Sequence, residues 1–282
     1  MSMRARFYEL AAEALERDER VAVVLAEIGA ASMPSHPRHF NVGIREQLMI
    51  GVAAGLALEG YRPVVHSYTP FLVERPYEML KLDLGHQDLG AVLVSTGASY
   101  DASTEGRTHQ APEDVAVIAA LPGWTVHVPG HVRELEQAFV DALGTDDRMY
   151  IRMTDETNPA PVEGDGLSVL RPGAPLVVAV GPTLGPTLEA TADLDVGVAY
   201  LKTVRPFPHD AFDGVDDVVL IEPYLAGTSA AEVTKAIGHR PHRLLALGVP
   251  NAEFRHYGAP EQHRAAHGLD AQGIRAAIEA FG

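Results

Sequence analysis

The chain has no cysteine. That absence removes disulfides, thiolate nucleophiles and cysteine-ligated metal sites together. Positive charge is also scarce. Lys and Arg number 22 against 38 Asp and Glu, a formal net charge of −16. Such a chain gains nothing from counterion release on a phosphate backbone, and anionic lipid repels it. Neither nucleic acid nor a membrane surface is an expected partner. No apolar run is long enough to span a bilayer. Met1–Arg20 alternates apolar and charged residues, so it reads as neither a signal peptide nor a spanning helix. A cytoplasmic location is the expectation. There is no Gly-x-Ser-x-Gly elbow, which removes the common serine hydrolases. No low-complexity segment or short tandem repeat is present.

What is there is a chain of 282 residues, 46% hydrophobic, long enough for a substantial core and better suited to two domains than one. Phe7, Leu10, Ala11, Ala14 and Leu15 follow the spacing of an amphipathic helix. Residues 21–25 form a short, wholly apolar run, as expected of a strand covered on both faces. Further along, 44–58 reads as a largely buried helix, 63–66 as strand, 77–82 as helix and 91–95 as strand. The alternation continues with helix at 113–120, strand at 125–128, helix at 132–143 and strand at 149–152. Repeated strand–helix order favours a parallel sheet with helices on both faces. Prolines 159, 161, 172 and 175 and glycines 164, 166 and 173 then interrupt the pattern. This stretch reads as an interdomain linker. Beyond it the alternation restarts, with Asp270 capping a last helix that ends near Phe281. The expected class is α/β: two three-layer domains with mostly parallel sheets, at 1–158 and 175–282, joined by a linker at 159–174.

Two segments carry chemistry. In Phe40-Asn41-Val42-Gly43-Ile44-Arg45-Glu46-Gln47, a charged trio starts an otherwise apolar helix. Burying a carboxylate without a partner is costly, so Glu46 needs a reason. Two readings are open: it offsets the helix dipole, or it hydrogen-bonds a heterocyclic ring. The second segment, 96–112, is longer than most connections in compact domains. It follows a strand, so it lies at the carboxyl edge of the sheet, where open α/β folds bind ligands. Its His109 is either a solvated loop residue or a site residue.

The first segment, with Gly51-Val52-Ala53-Ala54-Gly55-Leu56-Ala57, closely resembles the pyrimidine-binding domain of transketolases. So do Glu105-Gly106-Arg107-Thr108-His109-Gln110-Ala111-Pro112-Glu113-Asp114 and the following Leu121-Pro122-Gly123-Trp124. His256-Tyr257-Gly258 and Gly268-Leu269-Asp270 resemble that family's C-terminal domain, so the likeness covers nearly the whole chain in order. The resemblance implies thiamine diphosphate as cofactor. It implies that Glu46 contacts a ring nitrogen of the aminopyrimidine, which makes the amino group on that ring a base for cofactor activation. Phe71 aligns with an aromatic stacked on the pyrimidine, and Tyr68 with a second aromatic of that pocket. The alternative for both is a plain core aromatic. Glu27 aligns with an acidic residue near the cofactor, and His109 with a histidine that contacts the sugar. Glu105 stands where the family has aspartate, and is expected at a substrate hydroxyl.

Several positions depart from the family pattern. Arg107 replaces a common proline and is a candidate for anion binding. Glu74 stands where a third aromatic is usual, Gly97 near a substrate histidine, and Thr154 near an arginine that grips sugar phosphate. These changes leave the donor and acceptor open. The family's diphosphate-binding half carries Gly-Asp-Gly and a downstream Asn that hold the metal. Here Gly164-Asp165-Gly166 falls in the linker, and no Asn occurs between Asn158 and Asn251, so it reads as a turn and this chain is expected to hold no metal itself. The expected arrangement is a partner subunit carrying the diphosphate and Mg2+ or Ca2+, two copies of each chain, and sugar substrates. The competing readings are the beta-type subunit of a 2-oxo-acid dehydrogenase, a deoxyxylulose-phosphate synthase fragment, and a non-catalytic scaffold.

Overall fold

The structure, a computed structural model, describes residues 1–282. It contains two sheets. The first is built from β1 (Val21–Leu25), β2 (His39–Asn41), β3 (Arg62–Tyr68), β4 (Ala91–Thr96), β5 (Trp124–His127) and β6 (Arg148–Arg152). The second is built from β7 (Leu167–Arg171), β8 (Leu176–Val180), β9 (Gly197–Leu201), β11 (Asp217–Leu225) and β12 (Arg243–Val249). The remaining strand, β10 (Thr203–Arg205), crosses back and pairs antiparallel with β5, at the edge of the first sheet. The orders are β10-β5-β6-β4-β3-β1-β2 and β12-β11-β8-β9-β7. Every pairing is parallel except β10 with β5 and β7 with β9.

Side-chain alternation along the strands sorts the core into layers. Val21, Val23 and Leu25 pack with Phe7 and Leu10 of α1 (Met3–Arg17) and Leu135 and Phe139 of α5 (Val132–Leu143). Val24 faces the other way, toward Met49, Ile50 and Ala53 of α2 (Glu46–Leu58) and Val115 and Ile118 of α4 (Asp114–Ala119). That second layer runs on without a break into Val178, Leu220 and Val233, the last on α7 (Ala230–Ile237). The two units therefore share a core. The far face of the second sheet is covered by α6 (Leu184–Ala190) and α9 (Ala271–Phe281), with α8 (Pro260–Ala266) alongside.

Three details differ from the sequence reading. The stretch 159–174 is not all linker, because β7 lies inside it. Val169 and Leu170 of β7 are 58% and 43% exposed, so this edge strand is no buried apolar run like β1, and flanking Pro and Gly hide it. β10 is three residues long and exists only because β5 offers an open edge. The helix expected at 77–82 is a single α-turn, α3 (Tyr77–Met79), between wide π-turns at Pro70–Glu74 and Leu80–His86. Such wide turns cluster at functional sites, since they re-aim side chains that regular helix would point elsewhere. The expected cap of the last helix is present: Asp270 Oδ1 accepts from Gly273 N at 2.9 Å. No helix of the chain is long and apolar enough to cross a membrane.

Candidate cofactor site

Three aromatic rings meet at the carboxyl edge of the first sheet. Tyr68 ends β3, Phe71 lies in the π-turn that follows, and His109 comes from the loop after β4. Ring centroids are 5.3 Å apart for Tyr68–His109, 5.0 Å for Phe71–His109 and 6.2 Å for Tyr68–Phe71, all edge-on. Edge-to-face contact leaves part of each ring face free for a ligand. Gly97 makes this packing possible. Its φ is +71°, and a Cβ there would lie 2.5 Å from the Tyr68 ring.

Glu46 opens α2 and is 2% exposed. Its Oε2 accepts from Arg75 Nη1 at 2.8 Å, and the Arg75 guanidinium lies 4.2 Å from the Phe71 ring centre. Arg75 thus joins the buried carboxylate to the aromatic group. The π-turn supplies Arg75, whose N–H donates to Pro70 O.

A second arginine reaches the rings from α1. Arg4 lies 5.4 Å over Tyr68, and its Nε donates to Tyr8 Oη at 3.0 Å. Tyr8 Oη is 3.1 Å from His66 Nε2, and His66 Nδ1 is 2.7 Å from Val94 O. Burial pushes His66 down to about 3, so the ring is neutral. A carbonyl only accepts. Nδ1 therefore carries the proton, and Nε2 accepts from Tyr8. The chain of bonds has one polarity and holds Arg4 in position.

The loop that carries His109 is fixed at several points. Ser99, at φ +48°, donates to Pro223 O at 2.6 Å and accepts from Arg152 Nη2 at 2.5 Å. Arg152 Nε and the Tyr150 hydroxyl both donate to Asp114 Oδ2, at 2.7 and 2.6 Å. Ser103 Oγ donates to Gly258 O, and Leu225 N to Pro112 O, each at 2.7 Å. The second unit therefore positions a loop of the first.

The remaining residues singled out from sequence lie outside the ring cluster. Glu27 has φ +68° and bonds to Asn41 through Oε1 and its own N–H, at 3.1 and 3.0 Å. Asn41 Oδ1 also accepts from Gly43 N, so Glu27 orders the turn that leads into α2. Glu105 is exposed and makes no side-chain hydrogen bond. Arg107 donates to Gln110 O and Glu113 Oε1, both at 2.6 Å, and faces Glu253 at 3.7 Å. Its donors are engaged by a backbone carbonyl and two carboxylates, beside a cavity of about 200 Å³ between the loop and residues 249–254. Thr154 donates to Asp101 at 3.3 Å. Sequence reasoning missed Arg4 and Arg75. Arg4 reads as the solvated side of an amphipathic helix. Arg75 follows Phe71 by four residues, a spacing that signals contact only in a helix.

Residues 1–159 match the family described as transketolase, pyrimidine binding domain. The chain belongs to the transketolase family. An uncharacterized 33.6 kDa protein of the Rhodococcoides fascians fasciation locus is 48% identical over 283 residues, covering 95% of this chain and 91% of that one. A subunit of 6-deoxy-6-sulfo-D-fructose transketolase from Clostridium is 32% identical over 230 residues, covering 74% and 70%. The 1-deoxy-D-xylulose-5-phosphate synthase of Acidovorax ebreus is 32% identical over 295 residues, and this chain spans 46% of its length. Among solved structures, a split gene transketolase in an inactive beta4 tetramer superposes with a TM-score of 0.83 at 23% identity, covering 100% and 98%. Transketolase of Campylobacter jejuni superposes with a TM-score of 0.80 at 17% identity, over 99% of this chain and 46% of that one. These transketolase likenesses agree with the two-unit α/β fold described above.

Proposed function

We propose that this chain is one subunit of a thiamine-diphosphate-dependent transketolase that moves a two-carbon ketol unit between sugars. The observation that carries this reading is Glu46: a carboxylate 2% exposed, beside an aromatic group, with one arginine as its partner. A buried acid so sparsely bonded suits a ring nitrogen that accepts the acid's proton in the amino form and donates N–H to the carboxylate in the imino form. The residues present fit the pyrimidine half of the cofactor. Glu46 would bond a ring nitrogen, Phe71 would stack on the ring, and Tyr68 would close the pocket. When bound, thiamine diphosphate supplies an electron sink for carbon–carbon cleavage. His109, held edge-on by Phe71 and Tyr68, would donate to or accept from a substrate hydroxyl through its ring nitrogens. Arg4 adds a cation at the same edge. Glu105 is a candidate for a second substrate hydroxyl, and Glu27 supports the pocket indirectly through the turn that starts α2.

The diphosphate and its Mg2+ or Ca2+ are assigned to a partner subunit, with two copies of each chain. Support comes from α2, which has no polar face. Ile44, just ahead of it, is 72% exposed, and Leu48 and Leu58 are 48% and 62% exposed. An open apolar stripe of that kind marks a protein interface. The relative whose beta chains assemble alone is described as inactive, in keeping with a second chain being needed.

A second reading, a 2-oxo-acid substrate in place of a sugar phosphate, draws on Arg107. Its donors are engaged by Glu113 and Gln110, and Gly97 and Thr154 are themselves uncharged. The test is co-purification with the partner, followed by assays with thiamine diphosphate and Mg2+ using ketose donors and, separately, pyruvate. Turnover with ketoses supports transketolase, and turnover with pyruvate alone supports the second reading. Turnover unchanged in Glu46→Ala would leave only a scaffold.

A further inference from the structure

We infer that Arg75 is a placeholder for the cofactor's pyrimidine, bound to Glu46 and Phe71 until the ring displaces it; this rests on the function proposed above. The guanidinium has the two features that the site would read in the imino form of the pyrimidine, whose ring nitrogen facing Glu46 carries a hydrogen. It is planar, and it carries N–H donors in its plane. One donor reaches Glu46 Oε2 at 2.8 Å while the group sits 4.2 Å from the centre of the Phe71 ring. The same carboxylate and the same aromatic are the two groups assigned to the ring of the cofactor. Arg75 therefore occupies both contacts at once.

The energetics explain why such a group is present. The Glu46 side chain is 2% exposed, and a buried carboxylate left unpaired is strongly unfavourable. Before the cofactor binds, some donor has to meet it. The Arg75 side chain is 40% exposed, so it can leave for water at little loss. Its backbone stays: Gln47 Nε2 donates to Arg75 O, and Arg75 N donates to Pro70 O. Only the side chain needs to move. A ligand that competes with an internal group binds with an affinity reduced by the fraction of time the site is open.

The experiment has two arms with readouts other than activity. On the chain alone, unfolding midpoints are measured for wild type, Arg75→Met, Glu46→Gln and the double variant. Met keeps an apolar stem over Phe71. The midpoint is expected to fall in Arg75→Met and to recover in the double variant, because the unpaired charge is then gone. Additive losses would overturn the pairing. On the complex with its partner, thiamine diphosphate with Mg2+ is titrated calorimetrically. Arg75→Met is expected to bind about 10-fold tighter than wild type, and Arg75→Lys to fall between. Equal or weaker binding in Arg75→Met, with wild type binding normally, would make Arg75 a fixed part of the pocket and overturn the inference alone. A wild-type complex that takes up no thiamine diphosphate would overturn the proposed function and this inference with it, while the unfolding arm would still report the Glu46–Arg75 coupling.

Discussion

Two arginine–carboxylate pairs in this chain have nearly the same bond length and opposite surroundings. Arg152 meets Asp114 at 2.7 Å with side-chain exposures of 1% and 0%, and Arg75 meets Glu46 at 2.8 Å with 40% and 2%. The first pair is sealed. Tyr150, Ser95 and Ser99 complete its hydrogen bonds, and Pro223 ties it to the second unit. The second pair has one closed end and one wet end. The difference teaches that the pairing chemistry alone does not mark a site. What marks it is whether one partner can be exchanged without leaving a charge stranded. A third carboxylate extends the series. Glu222 is fully buried, accepts only from Ser229 N, and leaves Oε2 without a partner.

The largest effect is expected at the sealed pair. Arg152→Met strands a fully buried Asp114 and should lower unfolding free energy by about 3–5 kcal/mol in a denaturant titration. A loss under about 1 kcal/mol would mean that the seal is leaky and the contrast with Glu46 false. Next, Glu46→Gln should reduce turnover of the complex by about 10²–10⁴-fold while the chain remains folded. A fall in stability as large as that of Arg152→Met would turn Glu46 into a second structural acid. Glu222 sharpens the series through pH. Burial, the largest cause, pushes its carboxyl up to about 7. Folded protein then holds a proton that the unfolded chain loses near the ordinary glutamate value. Its stability contribution is present below about pH 4.3 and lost as pH rises through 7, on the order of 3–4 kcal/mol in all. Glu222→Gln should flatten that part of the stability–pH curve, and an unchanged slope would refute the assignment.

Smaller effects test the geometry of the rings. Gly97→Ala forces a left-handed backbone on a residue with a side chain and drives a Cβ toward Tyr68, so about 1–2 kcal/mol of stability should be lost. Crystals of that variant should have Tyr68 displaced from His109; an unmoved ring would sink the packing argument. Phe71→Leu should weaken thiamine diphosphate binding to the complex by about 0.5–1.5 kcal/mol, the size of an aromatic stack. Unaltered affinity would remove Phe71 from the pocket.

Strand and helix order was readable because the buried runs are unmixed. Val21–Leu25 is apolar throughout, and the pattern of α5 repeats cleanly over 12 residues. The strand β7 and the strand β10 were not readable, because one is half-exposed and the other is three residues long. In the proposed site, the segments around Glu46 and His109 stood out as a charge where none was expected and a loop too long to be mere connection. The resemblance then supplied Phe71 and Tyr68. Arg4 and Arg75 carried no such signal. An arginine on a helix or turn is ordinary until something distant folds against it.

Composition and hydropathy by themselves determined two α/β units with strands covered on both faces, because burial of short apolar runs follows from local pattern. They also determined that any acid at the head of α2 would need a partner. Which partner it found was decided only in three dimensions. The π-turn after Pro70 swings Arg75 over Phe71, and the second unit pins the loop that brings His109 to the same ring. The bond from Arg75 to Glu46 and the bond from the second unit to that loop join residues far apart in the chain, and no local preference of the backbone encodes them.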